Sequence, residues 1–158
     1  YCAQCHGADA GGSTGFPSLK DGDWLWGGDF GAIKTSILDG RAGVMPAYDG
    51  VLDAATTAQV VEYVLTLSGR EADASAAAAG KATFEAQCAA CHMPDGTGNV
   101  AMGAPNLTDK IWVYGSTKAS ITESIVKGRA GQMPAFRDFL GEDRVHVLSA
   151  YVANLSAK

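Results

Sequence analysis

Two five-residue segments, Cys2-Ala-Gln-Cys5-His6 and Cys88-Ala-Ala-Cys91-His92, use every cysteine of the chain. Cys-x-x-Cys-His is the pattern for covalent attachment of c-type haem. Each thiol adds to one vinyl group of the porphyrin, and the imidazole that follows reaches iron from the same side. A chain carrying this signal twice must wrap around two flat rings. Two covalently bound haems are therefore predicted, held by Cys2 and Cys5 in one case and by Cys88 and Cys91 in the other, with His6 and His92 as iron ligands.

Blander uses of Cys-x-x-Cys fit less well. The pair can be a disulfide, a redox dithiol or half of a zinc site. A zinc site built from both pairs would have to span the stretch from Cys5 to Cys88. A redox dithiol does not require a histidine directly after it, and certainly not twice.

At 158 residues the chain suffices for one ordinary domain or two small ones. Each half alone is marginal as an apoprotein, and a large apolar macrocycle would supply the missing core. The 20 glycines suit backbone that passes close to flat rings, and 47% hydrophobic content is that of a globular chain. A net charge of −5 and a pI near 5.0 argue against nucleic acid as a partner. No stretch approaches 18 apolar residues, so no membrane span is expected. The sequence starts at Tyr1 and shows no signal peptide. Because such haems are attached outside the bacterial cytoplasmic membrane, an export signal or anchor is expected upstream.

The chain is also written twice. Shifted by 88 positions, Ile33–Tyr48 (IKTSILDGRAGVMPAY) falls on Ile121–Phe136 (ITESIVKGRAGQMPAF), with ten of sixteen pairs identical. The same shift places Pro17 on Pro105 and Trp24 on Trp112. The haem motifs align at 86, so the loop after the second is two residues longer. Val60, Tyr63, Val64 and Leu67 form an amphipathic helical stripe, and Leu148, Tyr151, Val152 and Leu155 repeat it. Residues 68–79 are small and polar and read as a linker, partly inducible to helix. Lys81–Gln87 then leads helically into the second motif, with Gly80 and Phe84 on one face. The predicted organisation is a first domain over 1–68, a linker over 69–79 and a second domain over 80–158. The first copy has no counterpart of the leading helix, so Tyr63 and Val64 are expected to lack a packing neighbour. On that reading the chain is a fragment, or else its first domain is the less stable one.

Electron transfer needs a second axial ligand on each iron. His146 aligns with Ala58 and has no twin. Met93 aligns with Gly7 and Met102 with Thr14, whereas Met45 and Met133 correspond to each other, each followed by proline. These two are the predicted sixth ligands, with Met102 as the rival at the second haem. The adjacent proline fixes the backbone and steadies the thioether. Pro17 and Pro105 are candidates to orient the histidine rings through their carbonyls. Arg41 and Arg129 are placed to pair with haem propionates, with solvation the plainer reading. Trp24 and Trp112 either wall the haems or donate to a propionate, with ordinary core packing equally open.

These residues resemble a known family. CAACHMPDGTG followed by MGAPNLTDKIWVYG, IVKGRAGQMPAF and VHVLSAYVANLS is similar to the dihaem subunit of cbb3-type cytochrome c oxidases. The first half, with CAQCHGADAGG, GFPSLKDGDWLWGG and GRAGVMPAY, is similar to the other haem domain of that subunit. The resemblance implies an all-α fold of two tandem class I cytochrome c domains on the periplasmic side of the membrane. It implies that Cys2, Cys5, His6 and Met45 serve one haem, and Cys88, Cys91, His92 and Met133 the other. It further implies an upstream membrane anchor, a soluble cytochrome c donor, and delivery of electrons to a monohaem subunit and then the haem–copper catalytic subunit.

No nucleophile–base pair, carboxylate dyad or phosphate loop stands out, so no catalytic residue is predicted. The alternatives are a soluble dihaem shuttle or the cytochrome subunit of a dehydrogenase. A dihaem peroxidase or gas sensor would need one iron without its methionine.

Overall fold

The computed structural model describes residues 1–156 and is rich in helix. The first haem motif lies on a single turn, α1 (Ala3–His6), and is followed by a long irregular stretch before α2 (Phe30–Asp39). A strand β1 (Arg41–Met45) leads to α3 (Ala54–Leu67), α4 (Ala74–Gln87) and the second motif on α5 (Ala89–His92). The second copy continues with α6 (Lys118–Lys127), β2 (Arg129–Met133), α7 (Arg137–Leu140) and α8 (Glu142–Leu155).

The longer helices start where side-chain chemistry favours it. Asp29, Thr117, Asp53 and Asp73 each accept a hydrogen bond from a backbone N–H of the first turn of α2, α6, α3 and α4. α2 and α6 end at Gly40 and Gly128, whose φ values of 72° and 69° suit glycine. The all-α expectation needs one correction. The two Gly-Arg-Ala-Gly-x-Met segments are strands and make one two-stranded sheet.

The compact units also differ from the expected boundaries. One unit comprises Tyr1–Gly43 with Ala130–Lys158, and the other Val44–Arg129. Neither corresponds to 1–68 or 80–158, and the expected linker 69–79 lies inside the second, where α4 takes it from Ala74 onward. The chain leaves one unit within β1 and returns within β2. Each unit thus combines the haem motif and middle helix of one copy with the Met-Pro segment and last helix of the other.

In the unit Val44–Arg129, Val60, Val61, Val64 and Leu65 of α3 are buried with Phe84 of α4 and with Ile121 and Ile125 of α6. Gly80 lets α3 and α4 touch, because a Cβ there would overlap the Gln59 carbonyl and stand 2.7 Å from Val60 N. Tyr63 lies against Phe84 with ring centroids 5.1 Å apart. The expectation that Tyr63 and Val64 lack a neighbour is therefore corrected, since the leading helix of the second motif covers them. In the other unit Ile33, Ile37 and Leu38 of α2 pack with Val145 and Val152 of α8. Here Tyr151, the counterpart of Tyr63, is 62% exposed.

Candidate haem sites

Each motif turn is fixed by its own backbone: His6 N–H donates to Cys2 O at 2.8 Å and His92 N–H to Cys88 O at 2.9 Å. The chain then folds back so that a proline carbonyl meets the imidazole. His6 Nδ1 lies 2.8 Å from Pro17 O, and His92 Nδ1 lies 3.1 Å from Pro105 O. A carbonyl can only accept, so it selects the tautomer protonated at Nδ1 and leaves the Nε2 lone pair free for a metal. Burial pushes the His92 pKa down, outweighing the Pro105 hydrogen bond, which acts to raise it. The shift favours the neutral ring, the form that ligation requires.

The four thiols are unpaired. Burial, reinforced by neighbouring Cys91, pushes the Cys88 thiol up to about 11. Such a thiol is a poor redox nucleophile at neutral pH. Among the described residues no group of three or more histidine, cysteine or acidic side chains could hold a metal ion. The donor set suits a porphyrin better than zinc.

The methionines fall into the units opposite to expectation. Met45 packs against the core of Val60, Phe84 and Ile125, together with Cys88, Ala89, Leu107 and Trp112. Met133 packs against Ile33, Ile37 and Leu38, together with Leu19 and Trp24. Met45 thus shares a unit with Cys88, Cys91 and His92, and Met133 with Cys2, Cys5 and His6. The cause lies in the two helix-ending glycines. A Cβ at Gly40 would overlap the Met133 carbonyl and stand 2.8 Å from Ala135 N, and one at Gly128 would stand 2.5 Å from Met45 O. Each glycine thus receives the Met-Pro backbone of the other copy. Met102 is 50% exposed and belongs to neither core. His146 is exposed on α8, edge-on to Phe30.

Among the described residues, the buried indole N–H of Trp112 has no hydrogen-bond partner. A buried donor left unmatched is costly and points to an acceptor that belongs in the pocket. Haem propionate would be one, so the residues present fit the group. Trp24 packs so closely on Gly28 that a Cβ there would overlap its ring.

The arginines engage neighbouring side chains and backbone. Arg41 Nε donates to Ser36 Oγ at 2.8 Å, Nη2 donates to Ala32 O at 3.3 Å, and the guanidinium lies 5.0 Å over the Trp26 ring. Arg129 repeats this with Ser124 at 2.9 Å and Tyr114 at 4.6 Å, and adds Glu123 at 3.6 Å. Trp26 and Tyr114 were not singled out from sequence, although the 88-residue shift superposes them. Tyr48 was also missed. Its hydroxyl donates to Gln87 O at 2.7 Å, and burial, then Cys88 and Cys91, raise its pKa above the ordinary value.

Comparison with known proteins identifies relatives of this chain. The family described as cytochrome c oxidase, cbb3-type, subunit III matches residues 1–64 and 75–152. The chain is 45% identical over 165 residues to the cbb3-type cytochrome c oxidase subunit CcoP of Cereibacter sphaeroides, covering 98% of this chain and 57% of that protein. It is 49% identical over 156 residues to CcoP of Rubrivivax gelatinosus, covering 98% and 51%. Its identity to the FixP subunit of Azorhizobium caulinodans is 43% over 163 residues, covering 98% and 56%. The chain spans about half the length of these relatives. With the family matched along almost its whole length, the chain belongs to the subunit III family of cbb3-type cytochrome c oxidases.

Proposed function

We propose that this chain conducts electrons through two covalently bound c-type haems, with no catalytic site of its own. Cys2, Cys5 and His6 hold one haem, completed by Met133. Cys88, Cys91 and His92 hold the other, completed by Met45. The observation that carries this reading is that each compact unit contains one Cys-x-x-Cys-His turn, its histidine set on a proline carbonyl, together with one Met-Pro segment. Each haem would supply a one-electron iron couple. The protein's part is to fix the imidazole, exclude water with the apolar core, and hold the thioether, which favours the ferrous state. Trp112 would donate to a propionate of its haem. Trp24 would wall the other, while Arg41 and Arg129 would brace the strands that lead to the methionines.

The relatives' names support a place in a cbb3-type oxidase. There the chain would take electrons from a soluble cytochrome c and pass them to a monohaem subunit and the haem–copper catalytic subunit. It would stand on the periplasmic side, tethered through an upstream anchor. No described helix is long and apolar enough to cross a membrane. A difference of about 59 mV between the haems shifts a one-electron equilibrium tenfold, so small pocket differences suffice to set direction.

The exchanged pairing gives the sharpest test. A one-haem variant lacking Cys2 and Cys5 keeps only the second haem. In that background Met45→Ala should abolish the thioether-to-iron charge-transfer band and lower the potential, while Met133→Ala leaves both unchanged. The opposite result would restore the tandem pairing. A purified chain without covalently retained haem in a pyridine haemochrome assay would remove the reading altogether.

A further inference from the structure

The two pockets match closely in backbone, which makes one side-chain difference stand out. Tyr48 and Phe136 correspond under the repeat, each three residues after its methionine. Tyr48 N–H donates to Ile125 O at 3.0 Å, and Phe136 N–H donates to Ile37 O at the same distance. Ile37 and Ile125 are themselves equivalent, so both Met-Pro segments are clipped to the end of a middle helix, the Met45 segment with a further bond from Asp49 N–H to Val126 O at 3.1 Å. Only Tyr48 carries a hydroxyl, and that hydroxyl donates to Gln87 O. Gln87 is the last residue of α4 and directly precedes Cys88. Its carbonyl is one of the four that a helix C-terminus leaves without a partner inside the helix.

We propose that Tyr48 is a positioning residue specific to the second haem pocket, its hydroxyl latching the methionine-bearing segment to the helix end from which the haem motif springs. The latch closes a loop of contacts from Met45 through Tyr48 and Gln87 to Cys88. Withdrawing the thioether from iron then requires breaking the hydroxyl bond as well as detaching the clip to α6. In the first pocket Phe136 offers only the clip, so its methionine is released more readily. The chain thereby holds one well-guarded iron and one more easily opened. The latch rests on the pairing of Met45 with His92, and the experiment separates the two claims.

The haem-loaded, reduced chain is titrated with carbon monoxide, which displaces the thioether. The ring-current-shifted methyl signals of the two ligating methionines are followed by NMR. First, in the variant lacking Cys2 and Cys5, Met45→Ala should remove the single remaining signal; if that signal persists, the pairing of Met45 with His92 is wrong, whatever Tyr48 does. With that established, Tyr48→Phe deletes the hydroxyl and keeps the ring. The net worth of a neutral hydrogen bond corresponds to about three- to tenfold in the open population. The Met45 signal should therefore yield to carbon monoxide at about three- to tenfold lower concentration, with the Met133 signal unmoved. Tyr48→Ala should show at least that shift. The latch is refuted if Tyr48→Phe leaves both signals at parental concentrations, or shifts both equally.

Discussion

A guanidinium braced on three sides is the residue-scale device that carries the chain from helix to methionine. Arg41 bonds a serine hydroxyl and a backbone carbonyl of α2 while lying over an indole. Lysine cannot reproduce that fork, since its ammonium is a compact point charge. Arg41→Lys should therefore cost about 1 kcal/mol in urea unfolding of the haem-loaded chain, with haem content unchanged. If instead the arginine mainly pairs with a propionate, the potential of the first haem would move and stability would barely change. The sequence singled out the candidate ligating side chains because haem attachment demands a fixed local order of donors. It did not disclose the arginine's partners, because Ser36 and Trp26 are ordinary residues until the strand turns back over the helix.

Between elements, the decisive contact is α3 on α4. Gly80 lies in the interior of α4, where alanine is intrinsically better by about 1 kcal/mol. Here the sign reverses, because an added Cβ meets the backbone of Gln59 and Val60, which cannot turn aside. Overpacking of this kind costs about 1–3 kcal/mol, so Gly80→Ala should lower the urea midpoint despite its gain in propensity. An unchanged or higher midpoint would mean that the helices slide apart freely. The periodicity of both elements was readable, as were Gly80 and Phe84 on one face. What periodicity cannot convey is the partner, since the α3 stripe and its counterpart on α8 are near copies. The choice is made by the short path from Leu67 to Ala74, which lets α4 fold straight back on α3. The strands escaped notice for a related reason: five residues rich in glycine and alanine carry almost no alternation to read.

For the whole molecule, the unit Val44–Arg129 is continuous in sequence and is inserted into the other, which is built from both ends of the chain. A cut among residues 70–73 would separate the two copies of the repeat without separating the units. Both fragments contribute to each, and α3 and α4 lie on opposite sides of the cut. The nicked, haem-loaded chain should therefore elute as one species on gel filtration and keep both methionine charge-transfer bands. Elution as two small haem proteins would indicate independent tandem domains.

The insertion of one unit within the other has a bearing on biosynthesis. On the proposed pairing, the sulfur that completes the pocket of Cys2 and Cys5 is synthesised only after the whole stretch Val44–Arg129. On that pairing, the pocket whose thiols emerge first would be the last to be closed. A maturation chaperone that guards nascent haem protein would be needed longest at the N-terminal attachment point.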